Sequence, residues 1–118
     1  MWEKNQLTLK NEANFSGVGL HSGINAKVTL EPANSNSGIV FRRTDLEKDN
    51  EIVANFKNVS SAKLCTKIQN SSGASVSTIE HLMAAFYICG IDNIIVNLNG
   101  PEVPIMDGSA KDLSLIHI

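Results

Sequence analysis

An α+β fold is predicted for this chain: a two-layer sandwich in which a mixed or antiparallel sheet packs on two helices. Three observations predict it. Through the first two-thirds, short runs alternate apolar and polar residues with the period of half-buried strands. From Ser77 the period becomes helical. A second strand-then-helix signal follows, and runs of strands followed by helix, strand and helix suit helices on one face of a sheet.

Gln6 to Lys10 and Phe15 to Val18 read as strands. Ala26, Val28 and Leu30 alternate with Asn25, Lys27, Thr29 and Glu31, and Pro32, which lacks an N–H, ends that strand. Gly38 to Arg42 and Glu51 to Phe56 are similar, while Asn34 to Gly38 and Asn70 to Gly73 are short loops. Ile79, Leu82, Met83 and Phe86 then form one helical stripe, with Gly90 placed to close the helix. Asn93 to Leu98 is a strand, Asp107-Gly108 a turn, and Ser109 with Asp112 the cap of a second helix.

The first helix is apolar all round. His81, Ala84, Ala85 and Ile88 lie opposite its main stripe, where a surface helix carries charge. A two-layer domain covers only one side, so a further body is expected over the other.

The 118 residues, 42% hydrophobic and 19% charged, suit one globular domain with a core. A net charge of −2 gives no electrostatic case for nucleic acid. The first residues lack the apolar run of a signal peptide, and no apolar stretch is long enough to span a bilayer. Two cysteines, Cys65 and Cys89, form neither a CxxC pair nor a disulfide framework. These features point to a reduced, cytoplasmic compartment, in which the Asn-x-Ser triplets at Asn14, Asn58 and Asn70 are inert.

Five stretches bear on chemistry. Ser77 and Glu80 have capping-box spacing. Glu80 beside His81 also offers an imidazole for a metal and a carboxylate to move a proton. The local pair alone favours the cap, because a zinc site needs three protein ligands and neither His21 nor His117 is spaced to join His81. Gly-Val-Gly-Leu-His-Ser-Gly at 17–23 lacks phosphate-loop spacing and precedes a strand, so it reads as a hairpin turn with His21 at its tip. Asp107 reads as a turn residue, Cys65 lacks a nearby histidine to activate it, and Arg42-Arg43 reads as a solvated edge.

Taken together, Gly-Val-Gly-Leu-His-Ser-Gly (17–23), Val-Phe-Arg-Arg-Thr-Asp-Leu (40–46), Leu-Cys-Thr (64–66), Ser-Thr-Ile-Glu-His-Leu (77–82), Gly-Ile-Asp-Asn (90–93) and Glu-Val-Pro-Ile-Met-Asp-Gly-Ser-Ala (102–110) resemble one family in order and spacing. It is the UDP-3-O-acyl-N-acetylglucosamine deacetylases, zinc amidases of lipid A biosynthesis in Gram-negative bacteria. The likeness covers the first of the family's two similar domains. It implies a ribosomal protein S5 domain 2-like fold, with a second domain facing the helical layer and the active site between them. It implies that His81 ligates Zn2+ and that Glu80 is the general base. By the same likeness His21 lies near the substrate UDP-3-O-acyl-N-acetylglucosamine, and Leu64 and Cys65 lie beside its acyl chain. The family's remaining ligands, a His-x-x-x-Asp motif, and its catalytic lysine and histidine belong to the second domain. Residues 1–118 are therefore expected to be the N-terminal domain, truncated within or just after its second helix and inactive alone. The last eight residues depart from the family pattern, and His117 takes no role. A non-catalytic α+β module that binds no metal is the alternative reading; a nucleotide-dependent transferase lacks its phosphate loop.

Overall fold

A computed structural model describes residues 6–55 and 66–104, together with the backbone of 59–60 and 115–117. Its centre is a five-stranded mixed sheet. The strands are β2 (Ala13–Val18), β3 (Asn25–Pro32), β4 (Ile39–Arg43), β5 (Glu51–Val53) and β9 (Ile94–Leu98), in the order β2-β3-β9-β4-β5. β9 is antiparallel to β3 and parallel to β4. A two-stranded sheet joins β1 (Leu7–Leu9) to β10 (Leu115–His117). A three-stranded one holds β6 (Val59–Ser60), β7 (Lys67–Gln69) and β8 (Ser75–Ser77). One helix, α1 (Glu80–Cys89), occurs among the described residues.

Alternation in the sequence becomes rows across the sheet. Leu30, Val96, Phe41 and Ile52 stand opposite one another on four successive strands, and all are buried. Leu82 and Phe86 of α1 join the same apolar cluster. The next residue along each strand faces the other way, giving the row Thr29, Asn97, Arg42 and Glu51. There Arg42 donates to Glu51 Oε2 at 3.1 Å and to Asn97 Oδ1 at 3.4 Å. An apolar inner row and a hydrogen-bonded outer row make a one-residue slip costly, because it would exchange the two faces.

The Gly-Ile-Asp-Asn stretch latches β1 to this sheet. Asp92 Oδ2 accepts the Leu7 N–H at 2.9 Å. Buried Asn93 accepts the Gly38 N–H at Oδ1 (2.9 Å) and donates from Nδ2 to Gln6 Oε1 (2.7 Å). Its carbonyl takes the Thr8 hydroxyl at 2.6 Å. Gly90 ends α1 at φ 74°, and the Ile91 N–H reaches back to Phe86 O at 2.9 Å, the bonding that a left-handed residue makes possible.

Several boundaries differ from expectation. The strand expected over Glu51–Phe56 stops at Val53, where the Asn55 N–H turns back to Val53 O; Phe56 lies outside the described residues. α1 begins at Glu80 rather than Ser77, because Ser77 pairs with Lys67 as the last residue of β8. Residues 115–117, expected within a second helix, instead pair antiparallel with β1. The turn and cap residues Asp107, Ser109 and Asp112 lie outside the described residues.

Replacing Gly90 with alanine puts a Cβ on a left-handed backbone, 3.3 Å from Leu7 Cδ1. The expected cost is about 1–2 kcal/mol, read as a lower midpoint in urea denaturation. An unchanged midpoint would mean that α1 does not depend on this cap.

Candidate active site

The approach to α1 is strained. β8 ends at Ser77, whose N–H donates to Pro101 O at 2.8 Å and whose carbonyl takes the Val103 N–H at 3.1 Å. The next residue, Thr78, has φ +61°, a left-handed conformation that a β-branched residue rarely adopts. Such a residue costs on the order of 1–3 kcal/mol and persists only where its surroundings over-determine it. Here they do. The Thr78 and Ile79 N–H groups both aim at Thr66 O, at 2.8 and 3.4 Å.

This turn overturns the capping box. Ile79, in helical conformation, occupies the cap position with no side-chain bond to the helix. The Ser77 hydroxyl donates instead to Pro101 O at 3.3 Å. Glu80 is thereby released from a capping role. Its Oε2 accepts the Thr66 N–H at 3.0 Å, while its Oε1 is buried and has no hydrogen-bond partner among the described residues. A buried acceptor left without a donor costs about 1–3 kcal/mol. Glu80 borders an open, mostly apolar hollow of about 390 Å³, shared with Ala54, Thr66, Ile68, Ile79 and Met83. His81, one step round the helix, is exposed.

Facing this turn is Glu102, which sequence reasoning passed over in favour of Asp107. Its side chain is buried, yet it is held as an anion. Burial pushes its carboxyl pKa up. The Thr78 hydroxyl and the Ser22 and His21 amides outweigh that and bring it from the ordinary 4.5 to about 2. Thr78 Oγ1 donates to Oε2 at 2.7 Å, the Ser22 N–H to Oε1 at 2.7 Å and the His21 N–H to Oε2 at 3.0 Å. Gly19 is what lets the carboxylate in, since a Cβ there would overlap Glu102 Oε1. The 17–23 stretch is thus a hairpin turn with His21 exposed, as expected. It does cradle an anion, but that anion is the chain's own carboxylate. The available signal was a lone charge in an apolar run, Pro-Glu-Val-Pro-Ile.

The remaining candidates are placed less closely. Leu64 and Cys65 lie outside the described residues, next to Thr66. Arg42 and Arg43 lie on β4, inside the sheet between β9 and β5, rather than on a solvated edge: Arg42 pairs with Glu51, while the largely covered Arg43 pairs with Asp45 and donates to Ser75 O at 3.1 Å. Among the described residues no three His, Cys, Asp or Glu side chains cluster as a metal site. None of their helices is long and apolar enough to cross a membrane.

Residues 6–115 match the sequence profile of the family described as UDP-3-O-acyl N-acetylglycosamine deacetylase. The chain belongs to this family. Over 105 residues it is 58% identical to the UDP-3-O-acyl-N-acetylglucosamine deacetylase of Geotalea uraniireducens (strain Rf4). Over the same length it is 57% identical to that of Geobacter sp. (strain M21) and 48% identical to that of Wigglesworthia glossinidia brevipalpis. Each alignment covers 89% of this chain but 34–35% of the relative, so the chain spans about a third of the length of these proteins.

A depressed carboxylate pKa stabilises the fold above its unfolded value, and that stabilisation drains away as pH falls through the folded value. For Glu102 the window runs from about 4.5 down to about 2. The melting temperature should fall across this range. Glu102→Gln should lower it by an amount worth about 2–4 kcal/mol at neutral pH and should flatten the acid limb. An acid limb unchanged in the variant would show that other carboxylates carry it.

Proposed function

We propose that this chain is one of two facing domains of a zinc-dependent deacetylase, which hydrolyses the N-acetyl group of UDP-3-O-acyl-N-acetylglucosamine in the cytoplasmic phase of lipid A biosynthesis in Gram-negative bacteria. Its fold in this reading is the ribosomal protein S5 domain 2-like sandwich. The observation that carries the reading is Glu80, a carboxylate with one oxygen pinned by the Thr66 N–H and the other without a partner among the described residues, lining a hollow and beside an exposed histidine. Membership of a deacetylase family supports it.

His81 is the zinc ligand contributed by this chain. One imidazole falls short of the three protein ligands that a catalytic zinc requires, so the other donors come from the second domain. Bound there, zinc would polarise the acetyl carbonyl and acidify the attacking water. Glu80 takes the proton of the attacking water as oxygen adds to the carbonyl carbon. It can return the proton to the nitrogen as the C–N bond breaks, releasing acetate and a free amine. The Thr66 N–H keeps the carboxylate from rotating out of line. His21 is assigned to the substrate side, and Leu64 and Cys65 to the acyl chain.

The test is a chimera in which this chain replaces the matching third of the Geotalea uraniireducens relative. Glu80→Gln should cut kcat by roughly 10²–10⁴-fold with zinc content and melting temperature nearly unchanged. His81→Ala should instead lose zinc and the stabilisation that excess zinc confers. If both variants matched the parent chimera, the metal-free module would be the correct reading.

A second expectation concerns the outer face of α1. Tyr87 and Ile88 are 87% and 82% exposed, and Ala84 and His81 are exposed with them. This is the side that sequence patterning marks for a covering domain. The chain alone should bind an apolar dye or self-associate, and the intact chimera should do neither. A monodisperse, dye-negative chain would argue against a missing cover.

A further inference from the structure

We infer that Glu102 and Thr78 are positioning residues of the candidate active site, joining the turn that carries His21 to the backbone group that holds the Glu80 carboxylate. The inference rests on the reading of Glu80 as the base. The connection is a continuous series of hydrogen bonds. The His21 and Ser22 N–H groups donate to the Glu102 carboxylate, which also accepts the Thr78 hydroxyl. The Thr78 N–H donates to Thr66 O, and the Thr66 N–H donates to Glu80 Oε2. Two stretches about eighty residues apart in sequence are thereby set in one frame with Glu80.

Two features separate this from ordinary loop fastening. A buried charge is a poor way merely to hold segments together, because an apolar contact of similar volume does so without desolvating an ion. What a carboxylate adds is direction, since each donor must approach one of its oxygens along a lone pair. Position 78 makes the same point from the other side. Its backbone is left-handed, where glycine or asparagine would sit without strain, yet it is a threonine. The hydroxyl that reaches Glu102 is what threonine supplies there and glycine does not. Gly19, with no room for a Cβ beside Glu102, completes the fit from the turn.

The experiment has two arms. In the 118-residue chain, amide exchange by NMR is followed at Thr66, with Val96 of the central strand as the reference for global stability. Thr78→Val keeps the branched shape and removes only the hydroxyl; Thr78→Ser keeps the hydroxyl. Thr66 should exchange at least about tenfold faster in Thr78→Val, with Val96 unmoved and the rate largely recovered in Thr78→Ser. Glu102→Gln should also speed exchange at Thr66, with Val96 moving as well because the whole fold is weakened, and if it fails to fold, Thr78→Val still decides. An unaltered Thr66 in Thr78→Val overturns the inference. In the chimera, Thr78→Val should lower kcat about tenfold while leaving KM within about twofold, the signature of a misplaced group rather than of lost substrate binding. A folded Thr78→Val chimera with unchanged kcat also overturns it. A parent chimera with no activity would instead count against Glu80 as base, and the amide arm alone would then decide this inference.

Discussion

A buried anion must be answered on every side, and the carboxylate of Glu102 is answered by donors from two regions that the chain order keeps far apart. The Ser22 and His21 amides come from a hairpin tip, and the Thr78 hydroxyl comes from two residues before α1. Because desolvating the charge costs more than any single contact returns, the arrangement is close to all-or-none. The left-handed backbone at Thr78, the release of Glu80 from capping and the entry direction of α1 all follow from it. An uncharged residue at 102 would leave those backbone choices without a cause.

The scaffold beneath is simpler. Strand β9 is central, with Ile94, Val96, Asn97 and Leu98 all buried, and alternation decides which face each neighbouring strand turns to the core. Hydrophobic burial of the inner row supplies most of the drive to fold. The outer row of Thr29, Asn97, Arg42 and Glu51 supplies register. The surrounding short strands are fastened by side chains rather than by their own length. Asn70, for example, accepts the Ser72 and Ala74 amides within its turn and donates to the Asp49 and Glu51 carbonyls.

Periodicity made the sheet legible: the strands around Val28, Val96 and Phe41 and the helix stripe of Leu82 and Phe86 stand where alternation and helical spacing put them. Short strands were not legible. Lys67–Gln69 and Ser75–Ser77 are too brief to display a period, and β10 owes its existence to a partner at the far end of the chain. The Glu80-His81 pair was visible as chemistry, but its cap-or-base ambiguity was not resolvable from spacing. The deciding fact is a backbone angle at Thr78, where nothing in the residue type announces a left-handed turn. Glu102 was missed for a related reason. Its role depends on a turn some eighty positions earlier, and no local pattern connects the two.

The place of β9 in the sheet also constrains how the chain can be made. As synthesis proceeds from the amino end, the hairpin of β2 and β3 and that of β4 and β5 can each form early, because their partners are close in sequence. The strand that unites them emerges some forty residues after β5 and inserts between two edges that until then have open hydrogen-bonding groups. Such non-local closure is slow, and open edges in a nascent chain invite mispairing with neighbouring chains. Production of this protein should accordingly be most sensitive to temperature and chaperone supply in the interval before residues 94–98 leave the ribosome.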